Sequence, residues 1–299
     1  DVTAAEARDF EPRRVFLRNL RDVATWVHYD ALYEGYLNAA LWLLSIGAPS
    51  NPGNPYGDLH KQAPFATFGG PHLLSLVTEV ATRALKVVWY QKWAVHRRLR
   101  PEEYGGRVHL QKLGKRDFGL SGKLLHDDDL LGRIFAHNQA QNGGDEGSYL
   151  LPMAFPEGCP THPAYGAGHA TVAGACVTIL KAWFKGEDKL PLRPLMALEA
   201  GDRLYLASNE ALTIEGELNK LAANVAIGRN GAGVHWRSDY RESVLLGEKI
   251  ALGILQEQRA TYNELRPAPG AALRPWCFRG FSGEQLSIGE NAAGPPCPA

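Results

Sequence analysis

Apolar residues recur at three-to-four spacing through most of this 299-residue chain, and that periodicity restricts the fold more than any other feature. Between Arg14 and Leu44 the stripe runs through Phe16, Leu17, Leu20, Val23, Val27, Leu32, Tyr36, Leu41 and Leu44, with charges between. Pro49–Pro71, rich in Pro, Gly and Asn, reads as a long loop. A second helix is expected over His72–Leu99. It must stop before Pro101, because proline pushes the residue before it out of the helical region. A third helix spans Gly168–Phe184 and opens on small residues suited to close packing. A fourth segment of the series covers Leu192–Ser208, a fifth Glu215–Gly228 and a sixth Trp236–Tyr262. No internal repeat is visible, and no alternating strand pattern exceeds four residues. The expected fold is all-α, a helix bundle with long connecting loops and the active site inside the bundle.

Glu102–Pro163 reads as irregular, with many glycines and at most short helices; its apolar residues, such as Phe118, Leu131 and Phe135, argue against disorder. Asp127-Asp128-Asp129 lacks the alternating oxygen ligands of a calcium loop. It is read as a helix N-terminus, where carboxylates meet the positive end of the dipole. Residues 1–264 are expected to form one helical-bundle domain. Residues 265–299, with six prolines between Pro267 and Pro298, form a wrapping tail. Lys plus Arg and Asp plus Glu both number 32, so net charge is zero. That excludes bulk attraction to nucleic acid or an anionic membrane and leaves only a local positive cluster to bind an anion. No apolar run approaches the ~18 residues of a bilayer span, and no signal peptide is visible. The chain reads as soluble, with its compartment open, an extracytoplasmic one included. It begins at Asp1 rather than Met, so a processed, trimmed or partial chain is expected. The four cysteines lack the spacing of a zinc site; a Cys277–Cys297 bridge would tie down the tail.

Three stretches concentrate cations and histidine at helix ends. In Lys92–Pro101, a helix would put Lys92 and His96 on one face, with Arg100 a turn further on; the alternative is a basic helix C-terminus facing the dipole. In Pro160–Ala170, a turn rich in Pro and Gly leads into a helix. Such an end offers free N–H groups to an anion, with Gly168 permitting close approach and His162 and His169 flanking the turn; the alternative is a tight turn with incidental histidines. In Gly228–Asp239, a glycine-rich turn again opens a helix. There Asp239 can accept an N–H from His235 and leave the other ring nitrogen as ligand or nucleophile; the alternative is an ordinary polar pair at a helix start. Together a lysine, two arginines, a helix-start amide and these histidines suit one task, holding an oxyanion.

These segments resemble the signature of the vanadium-dependent haloperoxidase and phosphatidic acid phosphatase type 2 superfamily. Lys92-x7-Arg100-Pro101 has the haloperoxidase spacing, Gly168-His169 closes the second motif, and Arg229-x5-His235-x3-Asp239 matches the third. Pro160-Thr161-His162-Pro163 and Val234–Asp239 look like the bromoperoxidases of red algae and their bacterial relatives. The resemblance implies vanadate bound axially by His235, which Asp239 orients. Lys92, Arg100 and Arg229 would take the equatorial oxygens, with a backbone N–H from Gly168. His169 would be the acid–base that loads hydrogen peroxide, and His162 would tilt halide preference to bromide and iodide. Phosphate would fit the same site. The implied chemistry is Lewis-acid activation of peroxide, oxidation of halide to hypohalous acid equivalents and halogenation of organic nucleophiles. Homo-oligomerisation is implied too, as is a chain about half the family's usual length. Three positions depart from the pattern. Ala167 stands where the family has a serine that donates to the oxyanion, a charge-assisted hydrogen bond worth roughly 1.5–3 kcal/mol. Gly166 replaces proline, and Gly228 stands where many members have serine.

Two other functions fit the same residues. An acid phosphatase would use a phosphohistidine at His235 with His169 protonating the leaving group. A non-catalytic helical module would merely hold phosphate. A zinc site at His162, His169 and His235 is disfavoured, because the neighbouring cations would repel it. Trp89, Trp93 and Trp236 are expected in the bundle core rather than lining a halide pocket, and Gln91 is a candidate for tuning halide choice.

Overall fold

The computed structural model describes residues 11–57, 59–262, 273–289 and 297. Its helices are α1 (Leu20–Tyr29), α2 (Glu34–Ser45), α3 (Gly70–Tyr90), α4 (Pro101–Lys112), α5 (Gly122–Leu125), α6 (Asp128–Gln141), α7 (Gly168–Trp183), α8 (Ile214–Gly231) and α9 (Arg237–Thr261). The strands are short: β1 (Leu195–Ala197) pairs antiparallel with β2 (Leu204–Leu206), and β3 (Trp276–Arg279) with β4 (Gln285–Ile288). The all-α expectation holds. None of the described helices is long and apolar enough to cross a membrane.

The core is organised around α7. Every residue from Ala170 to Trp183 is buried, Thr171, Thr178 and Lys181 among them, so this helix is enclosed on all sides. It packs against α3, α8 and α9. The closest approach is to α9, and two glycines make it possible. A Cβ on Gly174 would lie 2.0 Å from the Val244 carbonyl oxygen, and one on Gly247 2.1 Å from that of Thr171. Backbone therefore meets backbone at this crossing, which brings the N-terminal ends of α7 and α9 together. A second tight crossing joins α1 to α8. A Cβ on Gly228 would lie 2.9 Å from Val23 Cγ1, so glycine at this position lets α1 lie flat on α8. Trp276, Phe278 and Ile288 of the β3–β4 hairpin enter the same core, and a Cys277–Cys297 disulfide ties residue 297 to the hairpin. The boundary expected at 264/265 falls outside the described residues.

Local structure departs from the sequence expectations in four places. The stripe from Arg14 to Leu44 is split between α1 and α2, because Asp30 is extended (φ −68°, ψ 149°); Val27 and Tyr36 join one core, but Phe16, Leu17, Leu20 and Leu41 are exposed, so the stripe survives only in part. Leu192–Ser208 is a hairpin, not a helix. Leu195, Met196, Leu204, Tyr205 and Leu206 are all exposed, so no stripe is buried there, and Gly201 at φ +68° lies in the connection. Glu102–Pro163 carries more helix than expected. α4 buries only Pro101 and Val108, and α6 only Leu131, so neither shows a stripe. Their start signals are instead local: Pro101 in the first turn of α4, and the Asp127 side chain accepting the Leu130 N–H at 3.0 Å ahead of α6. Finally, the helix expected to reach Leu99 widens into a π-helical stretch, Gln91–His96, and ends at Arg97 in the left-handed region (φ 46°).

Candidate active site

That widening determines where the first cations go. Lys92 and Arg100 do not stack on one helical face as expected. The chain turns at Arg97, and Lys92 and Arg100 come to the second segment from opposite sides of the turn. Lys92 is fully buried, and its Nζ donates to the Pro163 carbonyl at 2.7 Å. His96 is exposed and packs edge-on against Tyr165. Arg100, 2% exposed, donates from Nε to the His162 carbonyl (2.8 Å) and from Nη1 to the Val234 carbonyl (2.6 Å). Its Nη1 also lies 3.0 Å from His235 Nε2, and its Nη2 3.0 Å from His162 Nδ1. A guanidinium only donates, so both imidazole nitrogens act as acceptors.

His235 lies two residues before α9, just ahead of its N-cap Trp236, and is buried. Its Nδ1 lies 3.0 Å from Asp239 Oδ2, and the same oxygen accepts the Trp236 N–H at 3.0 Å. Asp239 thus caps α9 and fixes the His235 tautomer, with hydrogen on Nδ1 and the lone pair of Nε2 facing the cations. Burial, then Arg100, Lys92 and Arg229, hold the His235 imidazole well below its ordinary pKa, so it is neutral. Burial pushes the Asp239 carboxyl up, against the Trp236 N–H and the Arg98 guanidinium.

Arg229 lies in the last turn of α8 rather than in the turn after it, since α8 runs three residues beyond the expected end at Gly228. It is buried, donates to the Val27 carbonyl at 3.4 Å, and leaves Nε without a hydrogen-bond partner. Gly168 is the first residue of α7, so its N–H is among those with no intrahelical acceptor. A Cβ there would meet nothing closer than 3.8 Å, so packing alone does not demand glycine at this position. Ala167 offers no capping side chain, and its N–H donates to Ser243 Oγ at 2.8 Å.

Burial and mutual repulsion shape the remaining groups. Burial first and then Arg100 bring the Lys92 ammonium down to about 7. Burial takes Arg100 down to about 10 and lowers Arg229. His162 falls to about 4 through burial and the Lys92 and Arg100 charges. His169 is held by Asp30, whose Oδ1 lies 2.8 Å from its Nε2; burial lowers this histidine and Asp30 opposes the drop. The three segments therefore converge. Lys92, Arg100, Arg229, His162 and His235 surround one another; Asp239 beside His235 and the buried Asp30 beside Arg229 and His169 are the carboxylates that face three cations. Such an excess of buried positive charge, with an orphaned Arg229 Nε, fits an oxyanion.

Three residues here have no role in the sequence analysis, and a fourth has a different one. Asp30, Arg98 and Ser243 reach the site through the fold. Trp89 was expected in the core, but it is 38% exposed. Its ring lies 4.5 Å from that of His162 and 5.6 Å from Lys92 Nζ, so it forms a wall of the site. Trp93 is exposed as well. Trp236 is half-buried and donates from Nε1 to the Leu99 carbonyl at 2.9 Å. Gln91 lines a cavity of about 460 Å³ with Tyr165, Gly166 and Ser243, and none of the three cations or His235 lines it.

Known proteins resemble this chain in sequence and in fold. A family model described as the VCPO second helical-bundle domain matches residues 133–264. A vanadium-dependent bromoperoxidase of Corallina pilulifera is 50% identical over 279 residues, covering 87% of this chain and 46% of its own. One from Ascophyllum nodosum is 41% identical, with 91% and 48% covered. A solved structure described as the homohexameric second vanadate-dependent bromoperoxidase of Ascophyllum nodosum superposes with a TM-score of 0.85 at 35% identity, over 93% of this chain and 50% of that one. The chain thus spans about half the length of the curated relatives it matches. By motif, sequence and fold it belongs to the vanadium-dependent haloperoxidase family.

Proposed function

We propose that this chain carries the vanadate-binding centre of a bromoperoxidase. It would use hydrogen peroxide to oxidise bromide or iodide to hypohalous acid equivalents, which halogenate organic nucleophiles. The observation that carries this reading is the excess of buried positive charge beside a neutral imidazole whose Nε2 lone pair is directed into it. Vanadate held there supplies a Lewis-acidic centre that activates hydrogen peroxide. His235 Nε2 would hold the vanadium once Arg100 Nη1 gives up that nitrogen, and Asp239 keeps the hydrogen on Nδ1. Lys92, Arg100 and Arg229 would face the oxygens, whose negative charge opposes the lowering that burial imposes on all three. The Gly168 N–H, at the positive end of the α7 dipole, would donate to one oxygen. His169, braced by Asp30, exchanges the proton needed when peroxide enters. His162 accepts from Arg100 through Nδ1 and stays neutral, so it and Trp89 form the wall past which halide approaches.

Phosphate is near-isosteric with vanadate and is expected to compete for the same cations. The structural relative is described as homohexameric, and homo-oligomerisation is proposed for this chain on that ground. The test is an assay of vanadate-free protein reconstituted with orthovanadate, then given hydrogen peroxide, bromide and a phenolic dye. Vanadate-dependent dye bromination, lost in His235→Ala, is expected. Steady phosphomonoester turnover without vanadate, also lost in His235→Ala, would replace this reading with an acid phosphatase.

A further inference from the structure

Arg98 has no part in the three motifs, yet it touches all the segments that carry them. It lies in the first. Its carbonyl accepts the Ala164 N–H of the second at 2.9 Å. Its guanidinium sits 5.9 Å from the centre of the Tyr165 ring and 5.4 Å from that of Trp236. Nη1 donates to Ser238 Oγ at 2.7 Å and to Asp239 Oδ1 at 3.0 Å, both in the third segment. Asp239 is fully buried, and its other oxygen carries the His235 and Trp236 N–H groups.

We infer that Arg98 is a positioning residue for His235, acting through Asp239 and holding the three oxyanion-binding segments in register. A carboxylate with one oxygen committed to two donors still has freedom about its Cβ–Cγ bond; a guanidinium on the second oxygen removes it. The Asp239 plane then fixes the direction of His235 Nδ1–H, and so the direction of the Nε2 lone pair. The Arg98 side chain is 42% exposed, and an exposed ion pair is ordinarily worth ~0–1 kcal/mol. Here the partner is buried and its other oxygen holds the His235 N–H, so removing Arg98 takes from Asp239 Oδ1 the charged donor that orients it.

This inference rests on the proposed vanadate centre, and two readouts separate its failure from that of the centre. The first is orthovanadate affinity, measured by calorimetry. Arg98→Ala is expected to weaken it roughly 10–100-fold, the range for groups that orient a metal-binding histidine, and Arg98→Lys to recover part of the loss. The second is the ¹H–¹⁵N spectrum of anion-free protein. Arg100 on Nε2 keeps the His235 hydrogen on Nδ1 in wild type and variant alike, so the readout is the Nδ1–H resonance, which should be sharp in wild type and shifted or broadened in Arg98→Ala as Asp239 loses its fixed orientation. Arg98→Gln, which keeps donors but loses charge, is read the same way if Arg98→Ala does not fold. Wild-type affinity and an unchanged Nδ1–H resonance in the variant would overturn the role of Arg98. Wild-type protein that binds no orthovanadate would instead overturn the centre, with the Nδ1–H resonance still testing Arg98.

Discussion

Lys92 concentrates the electrostatic problem of this site in one side chain. It is fully buried, and burial with Arg100 brings it from 10.5 to about 7. Between those values the native state binds fewer protons than the unfolded chain, so stability rises with pH across that window; below about 7 both states are charged and the slope vanishes. The melting temperature of anion-free protein should therefore climb from pH 7 to pH 9, and Lys92→Met should remove this component of the slope. An identical rise in the variant would show that Lys92 is not held as described. At this scale the sequence was informative where residues lie close along the chain. His235 and Asp239, four apart, and the Gly168-His169 pair were readable as chemistry. Asp30 was not, because it meets His169 across 139 residues and carries no local pattern. Arg98 and Ser243 were missed for the same reason.

The elements deliver these side chains through one crossing that has no side chains between its helices. Gly174 and Gly247 put α7 and α9 in backbone contact, and the N-terminal ends of both helices bear on the site. Gly247→Ala should be destabilising by ~1–3 kcal/mol or more, the cost of overpacking where backbone must move. Urea unfolding checks this; an unchanged midpoint would mean that the helices part at no cost. Periodicity located α7, α8 and α9 because each has a face to bury. It was blind to α4 and α6, which bury little, and it misplaced the β1–β2 hairpin, whose leucines are exposed. The π-helical turn before Arg97 was equally invisible, although it decides how Lys92 and Arg100 meet.

Over the whole molecule, 32 basic and 32 acidic residues cancel, while three cations and few counter-charges are gathered at the ends of three helical segments. Net charge says nothing of this; only the fold separates the signs. The most direct test is a crystal soaked in orthovanadate and read by its anomalous signal. The expected result is one vanadium on His235 Nε2, with Lys92, Arg100 and Arg229 on its oxygens and the Gly168 N–H facing it. Vanadium bound elsewhere, or none at His235 at saturating orthovanadate, would contradict the account.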